Sequence, residues 1–239
     1  MKVGVLIVGS LYWDPSRVRC RWREARLDCT GERKVRVPIR YGKLASTRGN
    51  TYTMVFAKSC AEESKLGTAI VVPARAACCE PAHLIEEAEH LWAAERNSES
   101  ISGFWGDWGK VCVLENPGGT ISVPVIDAWK ARIKDAATEY SSLPTATGEE
   151  PVLDASAGRA LFQWPADVAT KQQLVGFDLL LMTATRPNLS NSRYPTAKSI
   201  AKAWRDDEFR NVNYFFNNQH YGIKTFEDAE ILAALRDAA

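Results

Sequence analysis

The apolar run Val3–Val8 (VGVLIV) constrains this chain more than any other segment. It has the length of a strand, shows no polar alternation, and stops at Gly9-Ser10. Such a strand must be covered on both faces, so it belongs at the centre of a sheet with other elements packed on either side. The run is too short for the apolar core of a signal peptide, and no small-residue cleavage site follows it. No segment approaches the ~20 apolar residues of a membrane helix. The expectation is therefore a cytoplasmic protein with no membrane contact and with reduced cysteines.

The remaining segments read as short strands interrupted by one long helix. Val18, Cys20 and Trp22 alternate with Arg17, Arg19, Arg21 and Arg23, which predicts a period-two strand with one basic face. Val35, Val37 and Ile39 alternate with Arg36, Pro38 and Arg40, the proline marking an edge or a strand end. Thr51–Ala57 and Gly67–Val72 are two more strands. Over Pro81–Arg96 the period changes: Leu84, Ala88 and Leu91 follow helical spacing, widened by Ile85 and Trp92. Val111–Leu114 and Ile121–Val125 flank Asn116-Pro117-Gly118-Gly119 and predict a hairpin, and Trp129–Tyr140 a helix. After the Ser/Thr/Gly/Pro-rich stretch Ser141–Pro151 come a short helix near Ala155–Phe162, a core strand over Leu174–Thr183 and a helix over Thr196–Arg205. A strand over Asn211–Phe216 and a helix over Glu227–Arg236, capped by Thr225, end the chain.

This order implies an α+β protein. Residues 1–140 would form a small mixed β-barrel or strongly curved sheet with flanking helices, and residues 141–239 an α/β extension packed on it, the alternative being a single domain. Thirty basic residues against 29 acidic ones leave a net charge of +1, which gives no general attraction to nucleic acid. The six cysteines include no CxxC pair, and the adjacent Cys78-Cys79 suit neither zinc chelation nor a disulfide. No metal or organic cofactor is implied.

Two features carry chemistry. Gly9-Ser10-Leu11, at the end of the first strand, can present backbone N–H groups and a hydroxyl to an anion. It is not a P-loop, because no Lys-Ser/Thr follows, nor a dinucleotide fingerprint. The second is Glu95, which continues the stripe Leu84, Ala88, Leu91 at spacings of four, three and four. A carboxylate on the apolar face, at a helix C-terminus, favours its protonated form and suits proton transfer near neutral pH. Glu86, Glu87 and Glu89 fall beside the stripe and read as a solvated face.

Together the strand ending in Gly9-Ser10-Leu11, the Trp13-Asp14-Pro15 that follows, and the helix ending in Glu95 resemble the gamma-glutamyl cyclotransferase-like superfamily over roughly residues 1–130. The resemblance implies that the loop holds the glutamyl carboxylate. It also implies that Glu95 serves the substrate's α-amine as acid/base while that amine closes a 5-oxoproline ring and expels an amine or amino acid. Tyr12 and Arg48 would complete the contacts to this small anionic substrate. Val8 stands where the family carries tyrosine, and Arg96 where it often carries glycine.

The residues leave two other readings open. The same fold could bind a ligand without cleaving it, a reading favoured by Val8. The arginine-rich segment, interleaved with Tyr12, Trp13 and Trp22, could serve a nucleic acid, although the balanced charge argues against this. His83 and His90, seven apart on one helix, make no metal pair. His220 reads as part of a turn and Thr196 as a helix cap.

Overall fold

The computed structural model describes residues 1–45, 51–136, 139–206 and 212–237. In chain order the strands and helices are β1 (Val3–Ile7), α1 (Arg17–Arg26), β2 (Arg33–Val37), β3 (Ile39–Ala45), β4 (Thr51–Phe56), β5 (Gly67–Pro73), α2 (Pro81–Glu95), β6 (Trp105–Gly106), β7 (Gly109–Glu115), α3 (Val123–Asp135), β8 (Leu153–Asp154), β9 (Arg159–Ala160), β10 (Ala166–Asp167), β11 (Leu179–Thr185), α4 (Ala197–Asp206), α5 (Asn213–Tyr221) and α6 (Asp228–Arg236).

Nine of these strands form one mixed sheet in the order β10-β2-β5-β1-β11-β7-β9-β8, with β6 added beside β7. The fold is therefore α+β, but the sheet is open and does not close into the expected barrel. β3 and β4 pair only with each other, as a separate hairpin. β1 lies at the middle, antiparallel to β5 and parallel to β11. Every residue of β1 is buried, and so is every residue of β11 up to Ala184. This follows from their uninterrupted apolar sequences: strands without a polar face need cover on both sides. Residues before and after position 140 thus contribute neighbouring strands to one sheet. No helix among the described residues is long and apolar enough to cross a membrane.

Several local expectations are corrected. Arg17–Arg23 is not a strand but most of helix α1. Arginine is a good helix former, and Arg19, Trp22, Arg23 and Arg26 recur at helical spacing on one face. Asp14 fixes the start of the helix by accepting from the Ser16 N–H at 2.9 Å. Ile121–Val125 is not the second arm of a hairpin, because α3 begins at Val123 with Pro124 in its first turn, where a missing N–H costs nothing. The Ala155–Phe162 segment holds a turn and β9, which pairs with β8 just before it, instead of a helix; Asp154 sets the turn by accepting from the Ser156 N–H at 3.0 Å. The expected strand over Asn211–Phe216 is helix α5 from Asn213 onward, and Asn211 lies outside the described residues. The last helix starts at Asp228 with Glu227 at its cap position; Thr225 acts one step earlier, its hydroxyl donating to the Asp228 carboxylate at 2.6 Å. Glu87, expected in solvent, is only 3% exposed, because α1 brings Arg26 against it at 2.8 Å.

Candidate functional site

β1 and β11 are parallel, so their C-terminal ends open onto the same side of the sheet, the usual place for a ligand cleft in sheets of this kind. A cleft of about 690 Å³ lies there. Ser10 and Leu11 line it from the loop after β1, and Thr183 and Thr185 from the end of β11. Glu95 lines it from the end of α2, Lys43 from β3, Trp108 from the turn before β7 and Tyr214 from α5. The sequence-predicted Ser10, Leu11 and Glu95 thus meet at one cavity, although Leu11 and Glu95 are 84 positions apart in the chain. Glu95 is half-buried on its wall.

The loop is fixed from below by two arginines of α1. Arg19 is 5% exposed. Its guanidinium donates to Ser10 Oγ at 3.1 Å, to the Asp14 carboxylate at 2.8 Å, and to the Ala94 and Glu95 carbonyls at 3.1 Å each. One side chain therefore ties the loop to the helix end that bears Glu95. Its charge sits on the negative end of the α2 dipole, which is favourable. Arg23 donates to the Leu11 and Asp14 carbonyls at 2.8 and 2.9 Å. With Tyr12 N–H donating to Gly9 O and Trp13 N–H to Ser10 O, the loop's carbonyls are occupied. No backbone carbonyl among the described residues accepts from the Ser10 or Leu11 N–H.

Gly9 has φ +86°, and a Cβ there would lie 2.2 Å from the Tyr214 hydroxyl. Only glycine fits, since it alone adopts this conformation without strain and lets the tyrosine close on the backbone. Gly9 is buried beneath the cleft and shapes it instead of lining it.

Tyr12 does not join the cleft. Its hydroxyl donates to Glu32 and its ring packs edge-on against Tyr221 with centroids 5.5 Å apart. Burial and then the Glu32 carboxylate push its pKa upward. Arg48 lies outside the described residues. The basic strand that might have carried a nucleic acid is not formed: Arg19 and Arg23 are spent on the loop and Trp22 is 6% exposed in the core.

Sequence reasoning missed Lys43. Its ammonium lies 3.9 Å from the Trp108 ring centroid and 3.5 Å from the Trp108 carbonyl oxygen. Burial lowers its pKa to about 8, against the opposing pull of Glu95. Trp108 is steadied by stacking on Trp92 at 4.6 Å. The missed signal was Gly42, an isolated glycine within a strand pattern, which marks a bulge. The cleft also contains Thr183, which is 6% exposed and whose Oγ1 finds no hydrogen-bond partner among the described residues.

All six cysteines are free. Among the described residues no group of three or more His, Cys, Asp or Glu side chains is arranged to hold a metal ion. Set against known protein families, curated proteins and solved structures, the chain matches none.

Proposed function

We propose that the cleft cleaves a γ-glutamyl amide by intramolecular cyclotransfer, with no metal or organic cofactor. The observation that carries this reading is the meeting of Ser10, Leu11 and Glu95 at one cavity, with Arg19 bridging the two walls. The Ser10 and Leu11 N–H groups receive the substrate's α-carboxylate. Glu95 takes a proton from the substrate's α-ammonium group, which frees the nitrogen lone pair. That nitrogen attacks the γ-carbonyl carbon and forms the ring C–N bond. Glu95 passes that proton to the departing nitrogen, collapse of the tetrahedral intermediate breaks the bond between that nitrogen and the γ-carbon, and the second proton left on the ring nitrogen is carried by Glu95 to the released amine, which leaves as an ammonium group. The products are 5-oxoproline and a free amine or amino acid, so atoms and charge balance without a co-reactant.

The test is release of 5-oxoproline from a panel of γ-glutamyl compounds by the purified protein. Glu95→Gln keeps the shape and removes the proton acceptor, and should lower turnover by roughly two to four orders of magnitude. Unchanged turnover in that variant ends the acid/base assignment. No release from any compound favours a second reading, supported by Val8 in place of the family's tyrosine: the same cleft binds its ligand without cleaving it.

A further inference from the structure

We propose that Lys43 and Glu95 together read the α-amino-acid head of the ligand, Lys43 taking its carboxylate and Glu95 its ammonium group. This rests on the role given to Glu95 above and adds a second charged residue, Lys43, as a determinant of specificity for that head.

The case begins in the backbone. In the β3–β4 hairpin Tyr41 pairs with Met54 and Lys43 with Thr53, so Gly42 is an extra residue on β3. In a regular strand Lys43, two residues after Tyr41, would share its face, and Tyr41 is fully buried. The bulge re-aims Lys43 toward the cleft, a common use of bulges beside functional sites. A side chain at Gly42 is blocked, because its Cβ would come 2.5 Å from Val55 Cγ2.

Once aimed, the ammonium is held over the Trp108 ring. A cation–π contact steadies the charge but uses no acceptor, and the bond to the Trp108 carbonyl is long at 3.5 Å. Lys43 and Glu95 are near enough to feel each other's charge. The lowered pKa of Lys43, caused first by burial, agrees with an ammonium short of anionic partners. The loop N–H groups carry only partial charges, and Lys43 adds a full one for a carboxylate. Glu95 stands at the C-terminus of α2, where the helix dipole also favours a cation. Thr183, buried with an unpartnered hydroxyl, adds an unspent hydrogen-bonding group to the same wall. Lys43 and Glu95 set opposite charges on one cleft, which Arg19 and Arg96 also line, and the pair complements the two ends of a zwitterion.

The experiment is calorimetric binding of three ligands: L-glutamine, 4-aminobutanamide, which lacks the carboxylate, and glutaramic acid, which lacks the amine. The wild type should bind L-glutamine at least ~10-fold more tightly than either truncated ligand, as expected for a charge-assisted contact. Lys43→Met should lose roughly tenfold or more for L-glutamine and keep its affinity for 4-aminobutanamide, which also shows that the variant is folded. Glu95→Gln should keep its affinity for glutaramic acid, and Lys43→Arg should restore part of the loss. Equal affinity of Lys43→Met and wild type for L-glutamine overturns the proposal, as does equal weakening toward all three ligands, or no binding by the wild type. The predicted pattern without release of 5-oxoproline from any γ-glutamyl compound sinks the catalytic reading alone. Release with an unchanged KM in Lys43→Met sinks this inference alone.

Discussion

Replacing Arg19 by methionine tests the architecture of the cleft most directly. Methionine has similar length and no charge. It would strip the Asp14 carboxylate, the Ser10 hydroxyl and two carbonyls of their guanidinium donors. Breaking a buried ion pair on one side costs about 3–5 kcal/mol. Two features place the loss near the lower end. The Asp14 side chain is 22% exposed and partly regains water, and the Ala94 carbonyl still accepts from the Asn97 N–H at 3.1 Å. The expected loss is therefore about 3 kcal/mol. With a urea slope of about 3 kcal/mol/M, that moves the unfolding midpoint down by about 1 M. Tryptophan fluorescence can follow the transition. Arg19→Lys keeps the charge but not the fork, so it should recover only part of the loss. If Arg19→Met shifts the midpoint by less than a fifth of the expected amount, Arg19 does not tie the loop to the helix.

Two further outcomes follow from single contacts. Gly9→Ala should destabilise by about 2 kcal/mol or more, from its left-handed backbone and the contact with the Tyr214 hydroxyl; adding Tyr214→Phe should recover the steric part only, and no recovery would show that the contact is not the cause. Glu227, 6% exposed beside Arg40, has its pKa raised to about 7, chiefly by burial. Between the ordinary value of about 4.5 and that value, the folded state holds a proton that the unfolded state has lost, so this group's stabilisation is complete below about 4.5 and disappears as pH rises through about 7. The stability difference between wild type and Glu227→Gln should therefore shift toward the variant from pH 5 to pH 8, and parallel urea midpoints across that range would refute the shift.

The central frame was legible because its segments are unambiguous. Val3–Val8 could only be a doubly covered strand, and Pro81–Arg96 carries both a proline suited to a first helical turn and a clear apolar stripe. Glu95 was legible for the same reason, since it lies on that stripe. Arg17–Arg23 was not, because Val18, Cys20 and Trp22 satisfy a period of two while Arg19, Trp22, Arg23 and Arg26 satisfy one of 3.6. The choice depended on Arg19 being buried and Arg23 half-buried by partners that come from a loop and a second helix. Hydropathy patterns treat arginine as outward-facing and so point the wrong way here.

Lys43 shows a different limit. Nothing about a lysine in a strand distinguishes a cleft residue from a solvated one, because alternation alone decides the face and alternation fails at a bulge. What distinguishes it is the glycine before it, whose cramped place against Val55 has no other evident purpose than to admit an extra residue. The same logic applies to Gly9, where the absent side chain lets Tyr214 close on the loop. At both places the sequence records the cleft in the residue that carries no chemistry, one glycine turning Lys43 to it and the other letting Tyr214 close on the loop that bears Ser10 and Leu11. A glycine inside or just beyond a strand is thus the feature in this chain that accompanies both Lys43 and the Ser10-Leu11 loop at the cleft.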